Sequence, residues 1–355
     1  MTRTARAAVL REQGAPLRIE SVVVPELRPD EILVRIRGVG ICHTDLTAAA
    51  GGVPIPLPAV LGHEGSGVVA EVGSSIVGLR VGDPVVIGFD SCRTCRNCRR
   101  GRPAYCSRFA PLNYSGVRPD GTSVFHDGAG KPIHGNWFGQ SSFSSLVVAT
   151  DRNVVRLPRE VPIELAGPLG CGLATGAGTV LRVLRPESDS TIAVFGLGAV
   201  GMAAVMAAKV AGCGTIIGID PNPRRHAPAL ELGATTALSP DDVDDIGRHV
   251  RRATGGGVDY AVESVGSEAV IRQAMSSLAS PGVCATLGLR GGRNPITIDQ
   301  THLLSGRTLT GVIEGDATRT SSSPNSPHSG ATADSPWRRS PAHFLSTNST
   351  TPSPP

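Results

Sequence analysis

The sequence has no apolar run approaching the roughly 18 residues of a membrane-spanning helix, which argues against an integral membrane protein. Its N-terminus, Met1 to Gly14, lacks the long apolar core of a secretory signal and any small-residue cleavage site behind one, so a cytoplasmic protein is expected. No basic run gathers the charge either. The net charge of +4 comes from 34 basic and 30 acidic residues, which gives no reason to expect nucleic acid or a membrane surface as partner. What remains is ordinary for a globular chain of 355 residues: 40% hydrophobic, 18% charged, and long enough for two domains with separate cores. Gly (44) and Pro (28) are abundant, so many tight turns or an unstructured segment follow.

Eight cysteines would frame disulfides in a small secreted chain, but in a cytosolic chain of this length they point first to metal or catalysis. Six sit in metal-like contexts, leaving Cys213 and Cys284 as expected buried thiols. The composition changes along the chain. Residues 1–160 are rich in β-branched residues between Gly and Pro, with strands expected over Ile32–Arg37, Gly67–Gly73 and Gly82–Ile87. Residues 161–295 alternate apolar strands with Ala-rich helical stretches, the pattern of a parallel sheet with crossover helices. Residues 296–316 form a return segment, and 317–355 are dominated by Ser, Thr and Pro.

The strongest motif is Cys92, Cys95 and Cys98 followed by Cys106, within a lobe at about 88–110. Four thiolates so close in sequence can wrap one tetrahedral zinc, and closed four-sulfur sites are structural. A second set is dispersed: Cys42-His43-Thr44-Asp45, then Gly62-His63-Glu64, then Gly170-Cys171-Gly172. Together Cys42, His63 and Cys171 supply two thiolates and an imidazole, leaving a position open for water or substrate. Thr44 could carry away an alcohol proton, Asp45 could orient His63, and Glu64 could approach the metal transiently. The third motif runs from an apolar strand, Thr191 to Phe195, into Gly196-Leu197-Gly198-Ala199-Val200-Gly201 and an Ala-rich helix, Met202 to Val210. That is the setting in which such glycines admit a pyrophosphate to a helix N-terminus. Asp220, ending the next apolar strand, suits a ribose 2′-hydroxyl and repels a 2′-phosphate, which favours NAD over NADP.

With these motifs in this order, Met1 to about Asp316 resembles the zinc-containing medium-chain alcohol dehydrogenases. Leu303-Leu304-Ser305-Gly306-Arg307-Thr308 is similar to that family's segment after the last nucleotide-domain strand. Gly139-Gln140-Ser141-Ser142-Phe143 with Gly311 to Asp316 is most similar to its aryl (benzyl-type) members. The resemblance implies an α/β chain: a GroES-like β-rich catalytic domain and a Rossmann doubly wound nucleotide-binding domain, with residues 296–316 returning to the first. It implies two zinc ions per chain, one catalytic at Cys42, His63 and Cys171 and one structural at the four-cysteine lobe. Thr44 would be the first proton acceptor, His43 and Thr175 would lie near the cofactor, and Asp220 and Arg225 near the adenosine ribose. Many members carry a histidine five residues after the catalytic cysteine, where this chain has Thr47, as aryl-type members also tend to lack it. The implied reaction is NAD-linked, reversible oxidation of a primary, aromatic or allylic alcohol by a homo-oligomer, dimer or tetramer. Oxidation of aldehydes or thiol adducts on the same site is the alternative, as is an impaired NAD-binding remnant.

That last alternative arises from the tail. The family's final segment has amphipathic helices and a closing strand, whereas residues 317–355 offer Ser, Thr and Pro. If the reading frame slipped so that each true codon is one wobble base plus the first two bases of the codon read, every TCN serine hides Leu, Ile, Val or Phe. Ser322, Ser323, Ser326 and Ser329 then become apolar at i, i+1, i+4 and i+7, and Ser346, Ser349 and Ser353 at i, i+3 and i+7. Both are one-face helix patterns. A frameshift near residues 316–319 is the expectation, with a genuine disordered extension as its rival.

Overall fold

A computed structural model describes residues 3–317; the Ser/Thr/Pro segment beyond them, and with it the frameshift expectation, lies outside the described residues. The chain divides into two compact units that meet in sequence between Cys171 and Gly172.

The first unit is built from β1 (Arg3–Leu10), β2 (Arg18–Val24), β3 (Glu31–Gly40), α1 (His43–Ala49), β4 (Ala59–Val60), β5 (Glu64–Val72), β6 (Pro84–Ile87), α2 (Arg96–Arg99), α3 (Phe109–Asn113), β7 (Phe125–His126), β8 (Pro132–Ile133), β9 (Leu146–Thr150) and β10 (Val154–Arg156). Its strands make two five-stranded sheets, ordered β4-β1-β2-β7-β8 and β10-β6-β5-β3-β9, with antiparallel pairing throughout. β3 shows why the sequence pattern there is blurred. Leu33 packs with Val9, Val22 and Val148 on one side, while Ile32 and Val34 pack with Val69, Val85 and Val147 on the other. A strand covered on both faces loses apolar–polar alternation in its buried half, and Arg35, Arg37 and Val39 of its second half reach solvent.

The second unit holds α4 (Gly172–Gly178), β11 (Thr191–Phe195), α5 (Ala199–Val210), β12 (Thr215–Ile219), α6 (His226–Leu232), β13 (Thr236–Leu238), α7 (Ile246–Ala253), β14 (Val258–Glu263), α8 (Glu268–Ser277), β15 (Leu278–Thr286) and β16 (Arg307–Gly311). Six parallel strands run in the order β13-β12-β11-β14-β15-β16, a doubly wound sheet whose order reverses between β11 and β14. Ile192 and Val194 point into a core with Met202 and Val205 of α5. Ala193 and Phe195 point into the other, with Val250 of α7 and Met275 of α8.

Two boundaries differ from the sequence reading. The first unit extends past residue 160, because 161–171 lies on its strands: the Ser66 hydroxyl donates to the Ile163 carbonyl at 2.6 Å, and any Cβ at Gly38 would strike the Glu164 carbonyl. Residues 296–316 do not form a separate return segment. β16 is the sixth strand of the parallel sheet, fixed by backbone pairing to β15 and by the Arg307 guanidinium donating to the carbonyls of Leu278 and Ala279. Cys284 is fully buried in β15, but Cys213 is only partly covered, so the expectation of two buried thiols holds for one. Among the described residues no helix is long and apolar enough to cross a membrane.

Candidate active site

In the first unit, Cys42 caps the start of α1, His63 directly precedes β5, and Cys171 closes the unit. One ligand atom from each lies within 4.8 Å of the others, and His63 Nε2 stands 3.2 Å from Cys171 Sγ. Zinc bonded to a sulfur at about 2.3 Å and a nitrogen at about 2.0 Å would set those atoms about 3.5 Å apart in a tetrahedron, so the spacing fits.

The electrostatics fit as well. A hydrogen bond with the Cys171 thiol, aided by His63, holds Cys42 well below the ordinary thiol range against its burial. Burial alone would lower the pKa of His63, but the Asp45 carboxylate and the Cys42 sulfur raise it well above its ordinary value. Negative thiolate beside positive imidazole is what a dicationic metal would stabilise by replacing the proton on Nε2.

The Asp45 carboxylate organises both. It sits at the third position of α1, where Oδ2 accepts from the Cys42 backbone N–H at 3.3 Å, a reciprocal cap of the helix start. Its Oδ1 accepts from His63 Nδ1 at 2.8 Å, from the Gly62 N–H at 3.1 Å and from the Trp137 indole N–H at 2.9 Å. With Nδ1 bonded to a carboxylate, Nε2 is the nitrogen left for a metal. Sequence reasoning anticipated Asp45 but missed Trp137 and Phe138, and took Gln140 only as part of a subgroup motif. Phe138 stacks on His63 with centroids 4.4 Å apart and planes 21° from parallel. Gln140 donates to the His63 carbonyl at 2.8 Å and accepts from the Gly65 N–H at 3.1 Å. The chain has only 12 aromatic residues (2 Trp, 3 Tyr, 7 Phe), and Phe89, Phe109, Tyr114, Trp137 and Phe138 are in ring contact with one another beside this imidazole. That clustering is invisible in the sequence, where they are spread over fifty positions.

In the second unit, β11 delivers the glycine turn to the N-terminus of α5. Gly196 takes φ +89°, and a Cβ there would meet Ser264. A Cβ on Gly201 would strike the Gly196 carbonyl, so that glycine lets the helix close on its own turn. Gly198 caps α5 without any side-chain hydrogen bond, and a Cβ on it would point into open space. No neighbour in the chain requires glycine there, and the bare backbone leaves room for a group such as a pyrophosphate to approach the helix start. Leu197, Ala199 and Val200 complete the turn. The Leu197 N–H donates to Asp220 Oδ2 at 2.8 Å, so the acid ending β12 braces the turn. Asp220 also receives the Asn222 N–H at 2.8 Å and the Arg225 guanidinium at 2.9 Å, and is 2% exposed.

Residues 28–159 match the alcohol dehydrogenase GroES-like domain, and 199–324 the zinc-binding dehydrogenase domain. The chain is 43% identical over 316 residues to a geraniol dehydrogenase of Castellaniella defragrans, covering 88% of this chain and 84% of the relative. The chain belongs to the zinc-type alcohol dehydrogenases. Among solved structures it superposes on an alcohol dehydrogenase zinc-binding domain protein from Burkholderia ambifaria, with TM-score 0.87 and 46% identity over 89% of this chain and 86% of that one. It also superposes on benzyl alcohol dehydrogenase from Acinetobacter calcoaceticus, with TM-score 0.85 and 37% identity over the same shares.

The remaining residues singled out for a dehydrogenase of this type fall as follows. Cys92, Cys95, Cys98 and Cys106 converge within 4.8 Å, with 4.0 Å between the sulfurs of Cys92 and Cys98 and of Cys95 and Cys106. A zinc tetrahedron with arms of about 2.3 Å has edges near 3.8 Å, so the lobe fits the metal. The Cys98 backbone N–H, with Ser107, lowers Cys95 to about 5, while burial and the Cys95 thiol push Cys98 up to about 12. Neighbouring thiols that cannot all shed their protons unaided suit a cation. Thr44 is half-buried and His43 exposed on α1, and Thr175 is half-buried on α4. Glu64 is buried against Gly40 and is not among the donors within reach of the Cys42, His63 and Cys171 ligand atoms. Thr47 donates its hydroxyl to the His43 carbonyl at 2.9 Å, so its proton is already committed inside the helix.

Proposed function

We propose that this enzyme oxidises a primary alcohol of aromatic or allylic type to its aldehyde, reversibly, with NAD as hydride acceptor. The observation that carries the reading is the convergence of Cys42, His63 and Cys171, from three distant segments, on one point. Zinc held there supplies Lewis-acid polarisation of the alcohol oxygen. Two thiolates would cancel the charge of the ion, and Asp45 would keep the imidazole turned toward it. Thr44 would take the hydroxyl proton and pass it outward, by way of water and the exposed His43, since Thr47 is bonded back into α1. NAD⁺ bound at the glycine turn would supply the hydride acceptor, so that alcohol and NAD⁺ would give aldehyde, NADH and a proton. Four cysteines of the lobe would hold a second zinc without chemistry of their own.

The substrate class is supported by the relatives, one named for geraniol, an allylic alcohol, and one for benzyl alcohol. The choice of NAD is supported by Asp220, whose carboxylate would repel a 2′-phosphate at the end of β12. The test is NADH formation, followed by absorbance, with benzyl alcohol, geraniol and ethanol, each with NAD and NADP. Turnover of the first two well above ethanol, with NAD preferred, is expected. Equal rates for all three alcohols would remove the substrate class, and NADP used as well as NAD would remove the cofactor assignment.

For residues 317–355 we infer from the serine periodicity alone that the shifted frame is the functional one. A chain carrying the shifted-frame translation should exceed the written chain in both soluble yield and alcohol-dependent turnover. Equal yield and turnover of the two would refute the frameshift as a functional matter.

A further inference from the structure

We propose that Trp137 is a positioning residue for His63: its indole N–H fixes the Asp45 carboxylate where that carboxylate can orient the metal-ligating imidazole. The inference rests on the reading of Cys42, His63 and Cys171 as the catalytic zinc ligands.

Trp137 is 0% exposed, and a buried indole N–H must find an acceptor. Here the acceptor is Asp45 Oδ1, at 2.9 Å, the same oxygen that takes the His63 Nδ1 bond at 2.8 Å. One carboxylate oxygen is thus shared between a tryptophan and a zinc ligand 74 positions apart in the chain, while the other oxygen caps the helix that begins at Cys42. Any rotation of the carboxylate that broke the indole bond would also displace the imidazole.

The turn that carries Trp137 is attached to the His63 segment at several points. The Ser141 hydroxyl accepts from the Trp137 backbone N–H at 2.9 Å and donates to the Val60 carbonyl at 2.6 Å. The Ser142 N–H donates to the Gly62 carbonyl at 2.8 Å, and the Gln140 amide donates to the His63 carbonyl. Phe138 then covers one face of the imidazole. To make this turn the backbone places Asn136 at φ 60°, Phe138 at φ 51° and Ser141 at φ 59°, left-handed values that non-glycine residues adopt only when their surroundings over-determine them. The Gly139 to Phe143 motif, which in the sequence marked only a family subgroup, therefore has a physical role. It clamps the backbone of His63 while its neighbour Trp137 clamps the side chain through Asp45. Space-filling alone would not require the indole's acceptor to be the very oxygen that holds His63 Nδ1, and phenylalanine would then serve nearly as well.

The test uses the purified enzyme with both metal sites loaded. Trp137 is replaced by Phe, and separately by benzothienylalanine, which keeps the ring system but substitutes sulfur for N–H. Zinc release to a chromogenic chelator is followed, as is the visible spectrum of the cobalt-substituted protein. The unmodified protein should release two metals with separable rates. Both variants should speed one phase by roughly 10–100-fold, the range for loss of an outer partner of a metal ligand. The other phase should be unchanged, and the cobalt bands of the three-donor centre should shift. Turnover should fall through kcat with KM for NAD unaltered. Metal release and cobalt spectra unchanged in the benzothienylalanine variant would overturn the proposal, even if Trp137→Phe were impaired, because volume and not the hydrogen bond would then be what matters. If the unmodified protein released metal from the four-cysteine lobe alone, the zinc reading itself would fall, and this proposal with it.

Discussion

The two cysteine-bearing centres of the first unit solve one problem by opposite means. The lobe collects Cys92, Cys95, Cys98 and Cys106 from fifteen consecutive residues, held by short turns and backbone N–H groups aimed at sulfur, such as Cys95 N–H to Cys92 at 3.3 Å. The proposed catalytic centre collects Cys42, His63 and Cys171 from segments up to 129 positions apart, each set by a different element. Its histidine is 1% exposed and fixed from behind by Asp45, Trp137 and Phe138, whereas three of the four lobe cysteines are only partly covered. A closed four-sulfur site saturates its metal and needs nothing but local chain geometry. A site that leaves a position for substrate must obtain its rigidity elsewhere, from the packed residues behind the ligands.

The sharpest way to break this comparison is to remove one ligand from each centre. Cys42→Ser should leave the protein folded, with about one zinc fewer, and lower alcohol oxidation by more than the 10–100-fold typical of an outer-partner loss. Cys95→Ser should also cost one zinc but act on stability, with the melting temperature lower by roughly 5 °C or more, as a loss of about 2 kcal/mol implies. Metal analysis, thermal melts and NADH absorbance on the two variants distinguish these outcomes. If Cys95→Ser abolished turnover without lowering stability, or Cys42→Ser unfolded the chain, the division of labour would be wrong.

A smaller effect is expected at the dinucleotide turn, which combines a local motif with one distant partner. Asp220→Gly should narrow the preference for NAD over NADP by about tenfold, equivalent to roughly 1.4 kcal/mol, because the 2′-phosphate no longer meets a carboxylate and Arg225 is released to bind it. The same change removes the acceptor of the Leu197 N–H, so KM for NAD should rise modestly. Steady-state constants with both cofactors check this. An unchanged NAD/NADP ratio would confine Asp220 to bracing the turn.

Legibility in the sequence followed the reach of the interactions. The parallel sheet was readable because strands buried on both faces, such as Thr191 to Phe195, are continuous apolar runs between helical stretches. The end of the first domain was placed too early because residues 161–171 contain only short helical turns, with no strand or long helix to mark their allegiance. The last strand was misassigned for a related reason. Arg307 to Gly311 carries a single large apolar residue, Leu309, so it lacks the periodicity of a core strand, and its place is set by backbone pairing to β15.

What the sequence by itself determined was the set of donors and their chemistry: four clustered thiols, two thiols and an imidazole that make a second set, and a glycine turn between strand and helix. Thiolate, imidazole and missing Cβ are properties of single residues or of neighbours, so they survive in one dimension. Only the tertiary structure decided what holds those donors still. The Trp137 indole reaches Asp45 across 92 positions, Gln140 reaches the His63 carbonyl across 77, and Asp220 reaches the Leu197 N–H across 23. Each is a directional bond between groups that burial obliges to find partners, and the partner is fixed by how the chain packs rather than by where it lies in the sequence.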